Sequence, residues 1–518
     1  MAINRRDFIT TALAATAIAA APKVSQAQPK RPNILFILAD DLGYGDLSCY
    51  GRPDYETPNL DRLAAQGLRF ANAYSAAPLC TPTRCAFITG RYPARTLVGL
   101  EEPLTEKGDL GERAKVLGLP PEHPTIASLL KQSGYQTSLI GKWHLGYLPN
   151  FGPIQSGFDE FFGIMSGAAD FFTHKDMRGD NDLYEGKVPV ERIGYTTEML
   201  TQRAVEYLSQ RRANPFYLSL HYTAPHWPWE GPRDQEVSRT LGKGYDGFTA
   251  GGSLKTYAAM MKSLDDGIGK VLRALDRSGL TGNTLVIFTS DNGGERFSYN
   301  WPFRGDKGDL WEGGIRVPAI VRWSATMSNV QRPMSKVGEF GSRSSDGMRS
   351  VPGAVATGFQ EPGSHFAGSN IPIGNRQSAI GNASGRIIQD VAITMDWTAT
   401  MLAVAGAKPD PNYPLDGIDL MPTISAASPR LRVPASPRPP LSVSPRLLFW
   451  RSSRQDAVLH GRWKYLRDGE DEYLFDLSTD EREQANFREQ NPAMFTRLRD
   501  EFKKWNATVL PRPPRRRF

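Results

Sequence analysis

The sequence is poor in cysteine, in long hydrophobic runs and in charge of one sign. Cys49, Cys80 and Cys85 are its 3 cysteines. A disulfide between Cys49 and Cys85 is possible and would leave Cys80 alone. The apolar run at residues 8–21 is diluted by threonines and is shorter than the roughly 20 residues that a membrane span requires. No other segment is long and apolar enough to span, which argues against a stable membrane anchor.

The excess of positive charge in the sequence comes largely from its proline-rich parts. The formal net charge is +7 and the sequence pI is about 9.1. Many of the positive charges lie in two proline-rich stretches without acids: Arg430, Arg432, Arg438, Arg446, Arg512, Arg515, Arg516 and Arg517. The body of the chain is then slightly acidic. A basic nucleic-acid groove is therefore not expected, and nucleic acid is excluded as a partner.

Residues 1–27 have the composition of a targeting segment. Arg5 and Arg6 precede the apolar run, and the small-residue sequence Ser25-Gln26-Ala27 follows it. This arrangement resembles a bacterial twin-arginine export signal that is cleaved after Ala27. It predicts a protein that passes through the twin-arginine export machinery and is periplasmic or secreted.

Four apolar runs of strand length end in polar residues. NILFILA at residues 33–39 and NTLVIFT at 283–289 are nearly continuous, as is typical of parallel strands buried on both faces. The other two are TSLIGKWH at 137–144 and PFYLSLHYTAPHWP at 215–228. Between them lie helical patterns, such as residues 257–275. The alternation predicts an α/β fold, a large and mostly parallel sheet with helices on both faces.

The remaining segments suggest a division into domains. Residues 28–426 form the main domain, within which 327–385 is predicted to be a flexible insertion because it is rich in Gly, Ser, Pro and Arg. Residues 427–445 read as a Pro/Arg-rich linker. Residues 446–518 are expected to form a small C-terminal α+β subdomain with a basic tail. Its antiparallel hairpin should turn near Asp468 and Gly469, and its helix should cover about 492–505.

Polar side chains follow all four apolar runs, and in an open α/β sheet such strand ends converge on a ligand site. Two of the runs lead into oxygen ligands only: Asp40, Asp41, Asp291 and Asn292. Hard divalent cations take such ligands, whereas zinc favours histidine or thiolate. The sequence therefore predicts a site for Ca²⁺ or Mg²⁺.

A second group of side chains is cationic. It consists of Arg84, Lys142, His144, His226 and Lys307. Arg84 belongs to a predicted helix that Thr81 can cap, with Pro82 in its first turn and Gly90 as its stop. Cys80 lies beside the start of this helix, where free N–H groups create a positive potential. A cation with basic groups around a helix N-terminus indicates a cradle for a phosphate or sulfate ester.

These residues carry a resemblance to a known family. Cys80, Pro82 and Arg84 form C-x-P-x-R, and the chain continues as TGRYP. The sequence also contains ADDLGYGDLSCYG, GKWHLG, TAPHWP, SDNGG and GDKGDLWEGG, in the same order as the family. In combination they resemble the type I sulfatases of the alkaline-phosphatase-like superfamily. The resemblance makes 28–426 the catalytic domain and implies hydrolysis of a sulfate monoester of a sugar or an aryl alcohol.

The resemblance also implies a nucleophile made from Cys80. In this family a formylglycine-generating enzyme reads C-x-P-x-R and converts the cysteine to Cα-formylglycine. The hydrated aldehyde attacks sulfur with one oxygen and uses the other to release sulfate. Arg84 is implied to steady this diol and the cation site.

Other family roles transfer to the polar strand ends. Asp40, Asp41, Asp291 and Asn292 are implied to hold Ca²⁺, with Mg²⁺ as the less favoured ion. Lys142, His226 and Lys307 are implied to bind the sulfate of a sulfated small molecule or glycan. His226 is also a candidate acid for the leaving oxygen, and His144 is implied to support the elimination of sulfate. Which histidine is the acid and which the base is left open.

Two alternatives to a sulfatase remain. Related enzymes with C-x-P-x-R hydrolyse phosphonate or phosphate esters, and an unmodified Cys80 would leave a catalytically silent binder of sulfated glycans. The substrate is also open, because Phe171, Phe172 and His174 belong either to a leaving-group pocket or to a core loop. Phe162 and Trp227 are further candidates for that pocket.

Overall fold

The computed structural model describes residues 31–323, 386–427 and 446–512. The predicted export signal, the insertion at 327–385, nearly all of the linker and the last residues of the basic tail lie outside these ranges. Within the described ranges, no helix combines the length and apolarity needed to cross a membrane.

Fourteen strands are found in the described residues, and they form two separate sheets. The strands of the large sheet are β1 (Asn33–Ala39), β2 (Leu68–Tyr74), β3 (Gln136–Gly141), β4 (Glu160–Ile164), β5 (Leu183–Glu185), β6 (Val188–Pro189), β7 (Phe216–His221), β8 (Thr284–Ser290), β9 (Ala319–Trp323) and β10 (Arg386–Ile393). The small sheet contains β11 (Leu447–Arg451), β12 (Gln455–His460), β13 (Trp463–Asp468) and β14 (Asp471–Asp476).

The α-helices of the described residues vary in length from one turn to more than six. They are α1 (Pro58–Ala65), α2 (Cys80–Thr89), α3 (Lys107–Leu110), α4 (Ile126–Gln132), α5 (Thr196–Ser209), α6 (Gln235–Arg239), α7 (Gly244–Thr249), α8 (Leu254–Arg277), α9 (Glu312–Ile315), α10 (Thr394–Ala405), α11 (Met421–Ala426) and α12 (Pro492–Asn506).

The large sheet is mixed, with a parallel centre. Its order is β10-β2-β9-β8-β1-β7-β3-β4-β5-β6. Strands β8, β1, β7 and β3 are consecutive in this order and mutually parallel, and β9, β5 and β6 run antiparallel to their neighbours. The carboxyl ends of the four central strands therefore lie at one edge of the sheet.

Helices cover both faces of this sheet because its central strands are apolar on both. Along β1, Ile34 and Phe36 belong to one core, and Leu35 and Ile37 belong to the other. Helices α2, α4 and α10 pack in the first core, whereas α1, α5 and α8 pack in the second. This arrangement confirms the predicted fold class.

The small sheet is antiparallel in the order β11-β12-β13-β14 and packs against α12. Trp505 of α12 stacks on Phe449 of β11 with their ring centroids 5.1 Å apart. The hairpin between β13 and β14 turns at Gly469, whose φ is +64°. The predicted antiparallel C-terminal sheet, its turn and its helix are thus confirmed.

One local prediction was wrong. Helix α2 begins at Cys80, after the extended residue Leu79, so Thr81 does not cap it. Thr81 lies inside the first turn, and its Oγ1 instead accepts a hydrogen bond from the Leu104 N–H at 3.0 Å. The predicted stop is correct, because Gly90 ends the helix in the left-handed region with φ +69°.

Candidate active site

The polar residues after the four central strands converge because the strands are parallel neighbours. Asp40 and Asp41 follow β1, Asp291 and Asn292 follow β8, and Lys142 follows β3. Backbone hydrogen bonds extend the sheet beyond the strand ends, from Asp291 N to Ala39 O at 3.2 Å and from Lys142 N to His221 O at 3.0 Å. Positive φ at Asp41 (61°) and His144 (58°) marks strained backbone at this edge, as is common at functional sites.

The start of α2 brings Cys80 to the same place. Ligand atoms of Asp40, Asp41, Cys80 and His226 all lie within 4.8 Å of one another, the one such acid, histidine and cysteine group in the described residues. Cys80 is only 2% exposed. Burial raises the pKa of its thiol to about 12, although Lys142 and Lys307 oppose this effect. The unmodified residue is therefore a neutral thiol at pH 7 and a weak nucleophile.

Arg84 and Lys142 form ion pairs with the buried carboxylates of Asp40 and Asp291. The Arg84 Nη2 lies 2.9 Å from Asp291 Oδ2 and 3.2 Å from Asp40 Oδ1, and Lys142 Nζ lies 2.6 Å from Asp40 Oδ2. Burial opposes ionisation of Asp40, but the charges of Lys142 and Arg84 outweigh it and lower the pKa of that carboxyl. For Asp291, burial and the charge of Asp40 prevail and raise the pKa to about 7.

The predicted metal ligands fit a hard cation. Asn292 Nδ2 donates to Asp41 Oδ1 at 2.8 Å, and the Asp41 N–H donates to Asp291 Oδ1 at 3.1 Å. Asn292 Oδ1 is buried and accepts no hydrogen bond from the described residues. A buried carbonyl oxygen without a donor, beside three carboxylates, is a donor set that suits Ca²⁺ or Mg²⁺.

The Lys307 ammonium contacts both Asp41 and His226. Its Nζ lies 2.6 Å from Asp41 Oδ2, 3.1 Å from His226 Nε2 and 3.3 Å from Glu295 Oε2. The other ring nitrogen, His226 Nδ1, lies 2.6 Å from the carbonyl oxygen of Trp227. A carbonyl can only accept, so Nδ1 carries the hydrogen and Nε2 accepts from the Lys307 ammonium. Burial, then Lys307 and Lys142, lower the pKa of His226, which keeps the ring neutral.

His144 has the opposite tautomer. Its Nε2 lies 2.8 Å from the carbonyl oxygen of Leu104 and therefore carries the hydrogen. Its Nδ1 is buried and without a hydrogen-bond partner among the described residues. Burial and the charge of Lys142 lower the pKa of His144, so this nitrogen holds a free lone pair.

The structure thus brings all the predicted site residues into one region, but it also shows two that were missed. His221 is buried beneath Arg84, with its Nδ1 3.1 Å from the carbonyl oxygen of Lys142. Glu295 contacts Lys307 and accepts from Trp227 Nε1 at 2.9 Å. His221 is the last residue of an apolar strand, and Glu295 directly follows the SDNGG motif. Each is therefore near predicted site residues in the sequence, and this proximity is the signal that could have identified them.

The loop around residues 168–176 is a core loop. Phe171 is buried and stacks on Tyr195, and Phe172 is half-buried against the same ring. His174 is also buried, and its Nε2 lies 3.1 Å from the carbonyl oxygen of Gly194. The burial of Phe171 and His174 favours the core loop over a leaving-group pocket at these residues.

Comparisons with known proteins agree with this geometry. The family model described as Sulfatase matches residues 32–346. N-acetylgalactosamine-6-sulfatase of Rattus norvegicus is 32% identical over 448 residues, which cover 82% of this chain and 70% of the relative. Arylsulfatase A of Homo sapiens is 31% identical over 442 residues, which cover 80% and 71%. The solved structure of Ps i-CgsB in complex with k-i-k-neocarrahexaose aligns with a TM-score of 0.69 at 27% identity, covering 92% of this chain and 93% of that one.

Proposed function

Because the chain belongs to the sulfatase family and is a sulfuric ester hydrolase, we propose that it is an exported enzyme that cleaves sulfate monoesters with formylglycine at position 80 and bound Ca²⁺. The observation that carries the proposal is the convergence of Cys80, the oxygen ligands and the cations Arg84, Lys142 and Lys307 in one buried site. A neutral buried thiol suits a residue that is modified before it acts.

Formylglycine and Ca²⁺ would supply the nucleophile and a positive charge. At position 80, formylglycine would supply a hydrated aldehyde as the nucleophile toward sulfur. Asp40, Asp41, Asp291 and Asn292 would hold Ca²⁺, which would supply Lewis acidity toward a sulfate oxygen. The residues of this chain would then bind the ester and move protons.

Lys142 and Lys307 bind the negative oxygens of the ester. The Lys142 Nζ lies 2.6 Å from Asp40 Oδ2, and the Lys307 Nζ lies 2.6 Å from Asp41 Oδ2. Both side chains are almost completely buried, and charge interactions in such a site are stronger than they would be in water. The cations of the site thereby stabilise charge that develops on the transferred group.

The tautomers support different proton roles for the two histidines. The hydrogen bond from the Lys307 ammonium to His226 Nε2 supports this pair as the proton source for the departing alcohol oxygen. The free Nδ1 of His144 supports that ring as the base. The carbonyl oxygens of Trp227 and Leu104 hold the two rings in these states.

Peptide mass spectrometry tests the proposed nucleophile. In protein made by its native host, the tryptic peptide from Phe70 to Arg84 should have the mass expected when the CH₂SH of Cys80 is replaced by CHO. The following peptide contains Cys85, which is buried against Thr96 and should remain a thiol. It is therefore an internal control. A thiol in both peptides would contradict the proposal and favour a silent binder of sulfated glycans.

Turnover of matched aryl esters tests the reaction. An aryl sulfate should be hydrolysed with a higher kcat/KM than the corresponding aryl phosphonate, and Cys80→Ala should lower turnover at least about a thousandfold, as loss of a nucleophile does. A preference for the phosphonate would instead show a phosphonate ester hydrolase. Export is tested separately by replacing Arg5 and Arg6 with lysine and following the protein in cell fractions.

A further inference from the structure

One side of the catalytic site is formed by aromatic and acidic side chains that the reaction itself does not use. Trp227 follows His226, and their rings are 4.2 Å apart. The Trp227 indole donates to Glu295 Oε2 at 2.9 Å, and its ring is nearly perpendicular to the Tyr245 ring, with the two centroids 5.5 Å apart. Tyr245 belongs to α7, so a separate helix adds this side chain to the site.

Glu295 and Tyr245 are close to the groups that receive the ester. Glu295 Oε2 is 3.3 Å from Lys307 Nζ, which in turn contacts His226 Nε2. Partial burial and the charge of Glu295 raise the pKa of Tyr245, while Lys307 opposes them. The phenol therefore lies within the electrostatic reach of both charges. A group attached to the ester oxygen beside His226 would meet these two side chains next.

Exposure separates the supporting side chains from those that face solvent. Trp227 and Phe248 are buried, and their rings meet at right angles 6.3 Å apart. Tyr245 is 59% exposed, and the Glu295 side chain is 24% exposed. Both contacts of Glu295 use Oε2, so Oε1 accepts no hydrogen bond from the described residues. An aromatic face and a carboxylate oxygen thus remain available to a ligand.

Arg296, which follows Glu295 in the chain, contacts other groups. The Arg296 guanidinium lies over the Phe297 ring at 4.7 Å and donates to Thr249 O at 3.2 Å. Among the charges that act on the Tyr245 phenol, that of the Glu295 carboxylate has the largest effect, ahead of Lys307 and Asp246. This carboxylate can accept a hydroxyl hydrogen, and it repels a second anionic group on the same ligand.

We propose that Tyr245 and Glu295 form a subsite for the ring that carries the sulfate, and that the subsite selects neutral hydroxyl-bearing monosulfated sugars over multiply sulfated ones. Tyr245 stacks on the apolar face of the sugar, and Glu295 Oε1 accepts a hydrogen bond from a hydroxyl. The inference rests on the proposed function, since it names the substrate class of the same site. Both side chains would be specificity-determining residues.

The test compares kcat and KM for three probes, 4-methylumbelliferyl sulfate, galactose 6-sulfate and a disulfated galactose. In Glu295→Gln, which keeps an acceptor for Trp227, the preference for monosulfated over disulfated sugar should fall about tenfold as repulsion is lost. In Tyr245→Ala, the KM for galactose 6-sulfate should rise roughly 3- to 10-fold, with kcat much less affected. In Tyr245→Phe, which keeps the aromatic ring, this KM should match that of wild-type protein. Glu236→Gln on exposed α6 is the matched control and should leave all three probes unchanged.

Two results would overturn the subsite. One is an equal loss of kcat on all three probes in Glu295→Gln, which would mean that Glu295 only supports Lys307. The other is an unchanged ratio between the two sugars together with an unchanged KM in Tyr245→Ala. Failure of the proposed function would look different, because wild-type protein with the aldehyde at position 80 would then hydrolyse none of the three esters.

Discussion

Among single residues, Asn292 gives the strongest support for the proposed cation site, because its buried Oδ1 has no hydrogen-bond donor in the described structure. Ca²⁺ that binds only the folded protein should raise its Tm, and EDTA should lower it. In Asn292→Ala, about tenfold more Ca²⁺ should be needed for the same rise, since one of the four ligands is lost. Differential scanning fluorimetry at graded Ca²⁺ measures this shift.

The control for this titration is Asn283→Ala, which removes only an exposed hydrogen bond to the carbonyl oxygen of Arg31. Its Ca²⁺ response should match that of wild-type protein. An identical response in Asn292→Ala would show that the amide oxygen is not a ligand.

Residue types at strand ends could be predicted from the sequence, but the proton positions could not. Asp40, Lys142 and Asn292 were found because each follows an apolar run of strand length. The tautomers of His144 and His226 depend on the carbonyl oxygens of Leu104 and Trp227, and backbone groups leave no pattern in a sequence. Glu295 was missed for a similar reason, since its importance comes from contacts with Trp227 and Lys307.

Among the elements, helix α2 depends on Gly90, the residue that follows Thr89 and ends the helix. Gly90 has φ +69°, and a Cβ there would lie 2.6 Å from Leu415 Cδ2. Gly90→Ala should therefore cost about 1–2 kcal/mol for the left-handed backbone, plus the cost of moving Leu415. Thermal unfolding of Gly406→Ala provides the control, because Gly406 ends α10 with φ +65° and open space around its Cβ position. Equal losses of Tm in the two variants would mean that the contact with Leu415 is unimportant.

The beginning of α2 shows where local sequence rules fail. Thr81 followed by Pro82 has the form of a helix cap, yet the helix starts one residue earlier. The Thr81 hydroxyl is used instead by the N–H of Leu104, a contact 23 residues away in the chain. This tertiary contact outweighs the local capping preference, and it also links the start of α2 to the carbonyl that orients His144.

For the whole molecule, the sequence predicted the layers but not the order of the strands. Continuous apolar runs and intervening helices were enough to indicate a sheet covered on both faces. The order β8-β1-β7-β3, which brings the four strand ends together, is set by long-range pairing. Neighbours in this sheet are far apart in the chain, as shown by Asn33 beside Thr284.

The two sheets are joined by a buried ion cluster that should govern the stability of the whole molecule. Lys464 of β13 is 1% exposed and lies 2.9 Å from Glu312 of α9 and 2.7 Å from Glu483. Glu312 keeps Tyr74 and Arg316 as partners if the lysine is removed, but Glu483 Oε1 keeps none among the described residues. Lys464→Met should therefore destabilise the protein by about 3–5 kcal/mol, the usual cost of one uncompensated buried charge.

Thermal unfolding of a second variant distinguishes lost charge pairing from lost packing at this junction. Adding Glu483→Gln to Lys464→Met removes the uncompensated charge while it keeps an acceptor for the Glu312 N–H, so the double variant should recover part of the lost Tm. Lys503→Met, on the exposed side of α12, controls for the loss of a lysine and should leave the Tm nearly unchanged. If the double variant recovered no Tm relative to Lys464→Met, an uncompensated charge on Glu483 would not be the cause of the loss, and charge pairing at this junction would contribute little to holding the two sheets together.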